Sequence, residues 1–223
     1  MTARQMSDAL DGFDESSAEQ ALQQLLSEYS ALAVIRDFIM PYLHDVGERW
    51  AAAHMTVAQE HFASNFVHSR LLALARGWDR GLGSRALLAC APGELHTLGL
   101  IAFGIALHAH GWKITYLGAA TPVDMLHAAA TQLRPDLIVV TSSVTGGLYP
   151  VLRELRQVAS RWPLRIAGPA TEERLASQCH APHLAEDPVT AAASIATTPG
   201  VEVVGPPPVA KLDRRASPAK SEG

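Results

Sequence analysis

The chain is 223 residues long, enough for one or two domains with a sizeable buried core. Hydrophobic residues make up 48% and charged residues 18%, with a formal charge of -4 at pH 7, which argues against nucleic-acid binding through a broadly basic surface. Cys90 and Cys179 form neither a disulfide framework nor a zinc spacing, and neither a secretory leader nor the ~18 consecutive apolar residues of a membrane span can be read. A cytoplasmic protein without membrane or direct nucleic-acid partners is expected.

In chain order, residues 1–16 are polar and Asp-rich and predict a flexible arm. Ser17-Ala18-Glu19-Gln20 has the form of an N-cap with an acidic first turn. Ala21, Leu22, Leu25, Leu26 and Tyr29 then recur at helical spacing. Leu32, Ile35, Ile39, Leu43 and Val46 continue the stripe through Pro41, which predicts a kink or a restart. Thr56 is a good N-cap for a third helix, which runs to about Arg76 with Phe62, Phe66, Leu71 and Leu74 among its apolar positions. Gly77 to Ser84 reads as a linker, so residues 17–82 form a helical bundle.

From Arg85 the periodicity alternates. Strands are predicted over 85–91, 113–117, 136–141 and 164–167, and helices over 98–110, 122–133, 149–160, 171–177 and 188–196. Strands spaced by helices of this length make βαβ units and a parallel sheet, here over residues 83–198. Residues 199–223 hold Pro206-Pro207-Pro208 followed by Lys211, Asp213, Arg214, Arg215 and Lys220, and predict a disordered Pro-rich tail.

The loop Gly93-Glu94-Leu95-His96-Thr97-Leu98-Gly99 carries the most chemistry. It follows the first strand and opens a helix, so His96 stands at the carboxyl end of a parallel strand, where open α/β sheets place their ligands. A neutral imidazole there ligates a metal through one nitrogen while a carboxylate such as Glu94 takes the proton of the other and raises the ligand's basicity. By itself the triplet Glu94, His96, Gly99 is a weak signal, because a lone loop histidine is more often a hydrogen-bonding residue than a ligand.

A bundle followed by a doubly wound sheet, with this loop after the first strand, resembles the cobalamin-binding modules. The resemblance implies a Rossmann-like (flavodoxin-like) domain in which an Asp-or-Glu, any, His, any, any, Gly loop supplies the lower cobalt ligand in place of the cofactor's own base. Glu94, His96 and Gly99 match that loop. The family's Ser-x-Leu after the third strand lines the channel for the nucleotide tail. It is met by Ser142-Ser143-Val144, with Val144 in place of Leu. Its Gly-Gly after the fourth strand is met by Gly168 alone, followed by Pro169. The implied cofactor is cobalamin, with His96 as the metal ligand.

Trp50, nine residues, then Glu60-His61 is similar to the signature of the cobalamin photoreceptor regulators of the CarH type. There the bundle caps the upper corrin face, the Trp packs over the upper axial group, and the Glu and His line the same chamber. The resemblance therefore implies adenosylcobalamin as cofactor and Trp50, Glu60 and His61 as its upper wall. The residue after the Trp, a histidine in that family that takes the upper position after light breaks the cobalt–carbon bond, is Ala51 here. Two substitutes are open. His54 lies on a similar face if the helix persists that far, and His61 is the other candidate. Alternatively Ala51 opens room for a second chromophore, biliverdin or a related bilin, as in the photocobilins, walled by Trp50, His54, His61, Asn65 and His68.

Only about 16 residues precede the bundle, none forming a basic recognition helix, so the expectation is a stand-alone module without a DNA-binding domain, resembling the free-standing cobalamin antirepressors. Output would then pass through a homo-oligomer, dimer or tetramer, or through a protein partner. Two readings compete with this light sensor. One is a corrinoid carrier protein of a methyltransferase system, and the other is a doubly wound domain that holds no cobalt.

Overall fold

In the computed structural model, which describes residues 2–80, 83–171 and 173–197, the first element is a helix, α1 (Thr2–Asp11). The flexible arm expected over 1–16 is corrected here. Met6, Ala9 and Leu10, at positions i, i+3 and i+4, form a narrow apolar stripe that α2 (Glu15–Glu28) buries. Three residues in a polar, Asp-rich stretch are too few to register as a pattern until a partner covers them. Helix α2 is capped by Asp14 rather than Ser17, because the Asp14 carboxylate accepts the Ser17 N–H at 3.0 Å and the Ser17 hydroxyl at 2.6 Å.

The kink expected at Pro41 takes a specific form. Helix α3 (Ala31–Val34) passes into a π-helical segment, Ile35–Ile39, before α4 (Met40–Ala51) restarts with Pro41 in its first turn. Proline has no N–H and its ring crowds the carbonyl four residues back. The wider turn, in which the Met40 N–H reaches the Ile35 carbonyl, accommodates both. Helix α5 (Val57–Leu74) begins as Thr56 predicts, with a capping box in which Thr56 and Gln59 satisfy each other's backbone N–H. It ends two residues before Arg76.

The sheet has five parallel strands in the order β2-β1-β3-β4-β5. They are β1 (Arg85–Cys90), β2 (Lys113–Gly118), β3 (Leu137–Thr141), β4 (Leu164–Ala167) and β5 (His183–Leu184). β5, two residues long, has no periodicity to read and is absent from the sequence-based prediction. The connecting helices are α6 (Leu98–Ala109), α7 (Val123–Leu133), α8 (Leu152–Ala159), α9 (Glu173–Gln178) and α10 (Pro188–Ala196). Pro150 turns the expected start of α8 into a short 3-10 turn, Tyr149–Val151. The predicted tail over 199–223 lies outside the described residues. Because β1 pairs with β2 on one side and β3 on the other, the chain reverses its winding there, and a crevice opens between the loops after β1 and β3.

Alternate residues of β1 feed two apolar clusters. Leu87 and Ala89, joined by Ala91 just past the strand, meet α7, α8 and α9, whereas Ala86, Leu88 and Cys90 meet α6, α10 and the bundle. This double burial is why β1 reads as a continuous apolar run rather than an alternating one. Helix α6 is buried on every side from Leu100 to Leu107, enclosed by the sheet, α5 and α10. Trp78, in the linker between bundle and sheet, packs where Gly104 of α6 leaves room. A Cβ on Gly104 would lie 2.9 Å from the Trp78 ring and 3.0 Å from Leu88 Cδ1. Helix propensity alone would make Gly104→Ala stabilising by ~1 kcal/mol. We expect the reverse, a loss of about 1–3 kcal/mol in urea unfolding, because the rigid indole cannot yield.

Candidate functional site

The loop after β1 is built around one buried carboxylate. Gly93, at φ +79°, turns the chain so that the Glu94 N–H bonds the Ala91 carbonyl at 3.0 Å, and the Glu94 side chain enters the crevice with 1% exposure. Its Oε1 accepts the His96 backbone N–H at 2.7 Å and faces His96 Nδ1 at 2.6 Å, while Oε2 accepts the Ser143 N–H from the loop after β3. The Glu94 carbonyl in turn accepts the Ala120 N–H, from the loop after β2, at 2.8 Å. One residue thus ties the loops of three strands.

Burial pushes the Glu94 carboxyl up, but the N–H groups of His96 and Ser143 and the His96 ring together outweigh it and hold the group below the usual glutamate range. An ionised Glu94 can only accept, so Nδ1 of His96 donates to it, and in the neutral imidazole Nε2 is the nitrogen with the free lone pair. The imidazole itself is 75% exposed. A basic nitrogen, oriented from beneath by a buried carboxylate and presented outward at the mouth of the sheet, has the chemistry of a single metal ligand with its outer partner in place. No cluster of three His, Cys, Asp or Glu side chains able to hold a metal occurs among the described residues. The donor set therefore fits a metal that brings its other ligands with it, as a corrin does.

The surroundings support that fit. Gly99 lies in the first turn of α6, and a Cβ there would meet only Pro188 Cγ, at 4.0 Å. The chain's own packing does not require a glycine at a position where it weakens the helix by up to ~1 kcal/mol, and close approach of a ligand would. Gly168 differs. At φ +117° its Cβ would fall 2.2 Å from the Ser142 carbonyl oxygen, so it serves the contact between the loops after β3 and β4. Its expected role in direct ligand contact is thereby given a packing reason within the chain. Ser142 is buried, with its hydroxyl on the Val144 carbonyl at 3.3 Å and its own carbonyl accepting from Thr171 Oγ1 at 3.3 Å, while Val144 is exposed. Leu95, Leu117 and Tyr149 are also exposed along this carboxyl end. Sequence reasoning did not single out the Ser143 N–H or Gly147, whose Cβ would crowd Ser142 Oγ at 2.8 Å. A backbone donor leaves no mark in residue type.

The other expected group sits on the bundle. Trp50, in the last turn of α4, is 53% exposed. Glu60 accepts from Ser64 Oγ at 2.7 Å and pairs with Nδ1 of His61, which is exposed. His61, Asn65 and His68 share one face of α5, with His68 half-buried. His54 requires a correction. Helix α4 stops at Ala51, Ala53 takes a left-handed φ of +57°, and the N–H groups of Ala53 and His54 close back on the Trp50 and Arg49 carbonyls. His54 therefore does not continue the helix face of Ala51. No hydrogen bond or ion pair links the Trp50 and Glu60-His61 group to the His96 loop among the described residues.

Comparison with known proteins divides the chain as the fold does. Residues 2–75 and residues 84–186 each match a B12 binding domain family, the first describing the bundle and the second the sheet. The chain belongs to the B12 binding domain proteins, with both domains in tandem. Within that class it is a CarH-like cobalamin-binding module. It is 33% identical over 172 residues to the HTH-type transcriptional repressor CarH of Myxococcus xanthus, an alignment covering 75% of this chain and 58% of the repressor. To CarA of the same organism it is 34% identical over 142 residues, covering 62% and 48%. The chain thus spans about half the length of these repressors. The monomethylamine corrinoid protein of Methanosarcina barkeri shares the fold, with a TM-score of 0.73 at 17% identity over 86% of this chain and 95% of that one. No helix among the described residues is long and apolar enough to cross a membrane.

Glu94→Gln keeps the shape of the buried side chain but turns an amide NH2 toward donors that now meet a carboxylate. We expect it to lower the unfolding free energy by about 1–3 kcal/mol at neutral pH, read from urea denaturation, with His96→Ala costing clearly less because the imidazole is exposed.

Proposed function

We propose that this chain is a light sensor that holds adenosylcobalamin with its own base displaced, His96 serving as the lower ligand and Trp50, Glu60 and His61 forming the wall of the upper chamber. The observation that carries this reading is the exposed His96 imidazole seated on the buried Glu94 carboxylate at the sheet's switch point. Ser142, Val144 and Gly168 frame the path of the nucleotide tail, and Gly99 leaves room beside the ring. When bound, the cofactor supplies a weak cobalt–carbon bond that visible light breaks. The protein's part is to orient one imidazole from below and to shield the upper group from water with the Trp50 indole.

Signalling then requires that the dark and lit forms differ in contacts, since a ligand shifts an equilibrium only by its differential affinity for two states. The extended apolar contact between α5 and α6 is the natural place for that difference, and its readout is a change in homo-oligomer size or in partner binding. Ala51 is small and exposed at the end of α4, and the shared face of exposed His61 and Asn65 with half-buried His68 supports a bilin as a second chromophore there.

The test is direct. The chain is purified in the dark with adenosylcobalamin, and its absorption and mass in solution are recorded before and after green light. We expect retained corrin, a light-induced spectral change and a shift in assembly. A chain that retains no corrin sinks the reading, and a light-stable methyl form that exchanges with a methyltransferase would make it a carrier instead. His96→Ala is expected to weaken corrin binding by at least ~10-fold and to alter the spectrum of what remains, measured by equilibrium titration. Biliverdin added to the dark complex is expected to give a new visible band; its absence removes the second chromophore.

A further inference from the structure

The two helix ends that carry Trp50 and Glu60-His61 are not bonded to each other. Among the described residues no hydrogen bond or ion pair runs directly between α4 and α5, yet both reach the same residue of α1. Asp11, the last residue of that helix, takes Arg49 in a two-pronged contact, Nη1 to Oδ2 at 2.6 Å and Nη2 to Oδ1 at 3.2 Å, and accepts the Tyr42 hydroxyl at 3.2 Å. Its carbonyl accepts Gln59 Nε2 at 3.0 Å, and Gln59 is the residue whose side-chain oxygen caps α5 at Thr56. Arg49 immediately precedes Trp50, and Gln59 immediately precedes Glu60. Phe13, two residues past Asp11, meets Phe62, the residue after His61, edge to face at 5.4 Å.

We propose that Asp11 is a positioning residue for the upper chamber, bracketing the end of α4 and the start of α5 so that Trp50 and Glu60-His61 are presented in a fixed relation. This role rests on the light-sensor reading for what the chamber holds, but not for the bracket itself. The physical grounds are geometric. A forked guanidinium–carboxylate contact fixes direction as well as distance, and both partners are about 70% shielded, with side-chain exposures of 27% and 30%. Burial and the Asp11 charge push the Tyr42 phenol up, so it remains a donor to the same carboxylate. Arg49 also meets Asp45 within its own helix, at 2.7 Å from Nε, but that contact joins nothing to α5.

The experiment compares Asp11→Ala with Asp45→Ala, which removes the same-helix partner and leaves the bracket. In the cofactor-free chain, acrylamide quenching of Trp50, taken as the difference from the Trp50→Phe variant, is expected to rise in Asp11→Ala and to stay unchanged in Asp45→Ala. In titrations, Asp11→Ala is expected to lower the affinity for adenosylcobalamin about tenfold relative to hydroxocobalamin, whose small upper group makes little use of the chamber. Equal losses for both corrins with unchanged Trp50 quenching, or the same behaviour in Asp45→Ala, overturn the proposal. Should Asp11→Ala fail to fold, Asp11→Asn keeps one acceptor and is expected to show the same changes in smaller measure; a folded Asn variant indistinguishable from the parent overturns it. If the parent chain retains no corrin, the light-sensor reading fails while the quenching measurement still decides the bracket.

Discussion

The arrangement depends on a carboxylate that has been taken out of water. Removing Glu94 from solvent is costly unless its oxygens are matched by donors, and here the donors come from two loops and one side chain: the His96 N–H, the Ser143 N–H and the His96 ring. Meeting that demand has three structural consequences. It holds the loops after β1 and β3 together at the point where the sheet changes its winding direction. It makes Nδ1 of His96 the donor, so that the neutral ring turns its free lone pair outward on Nε2. It also stands the imidazole upright although most of its surface is exposed, a pose that packing alone would not maintain.

A second constraint joins the two domains. Helix α6 begins directly after the His96 loop and is apolar on all sides, so it cannot serve as an ordinary surface helix of an α/β sheet. The bundle supplies the missing cover through α5, and Trp78 from the linker fills the space left by Gly104. One apolar cluster consequently runs from Met6 of α1 through the bundle to the near face of β1 and β3. Movements at the bundle are therefore mechanically close to the helix whose first turn follows His96. For a sensor this is a suitable connection, because packed cores switch between discrete arrangements rather than deform continuously.

Much of this was legible in the residue order. The alternation of strands and helices from Arg85 to Ala196 followed from periodicity, and the start of α5 from Thr56 and Gln59. The place of His96 at a strand's carboxyl end needed only the apolar run before it and the helix after it. Other features were not legible. Helix α1 buries only three apolar residues in a polar stretch, β5 is two residues long, and the αL turn at Ala53 that removes His54 from the helix carries no glycine to announce it. Gly168 could be seen as small, but only the Ser142 carbonyl 2.2 Å from its absent Cβ says why it must be.

The sequence by itself therefore determined the elements, their order and the residue types of the site, because helix caps, hydrophobic period and strand length are set by residues within a few positions of one another. Tertiary structure alone decided which of those residues act together. Ser143 and Glu94 are 49 positions apart, and Arg49 and Asp11 are 38 apart. Such pairings arise from burial and from the need to satisfy each desolvated polar group, and neither leaves a period in the chain.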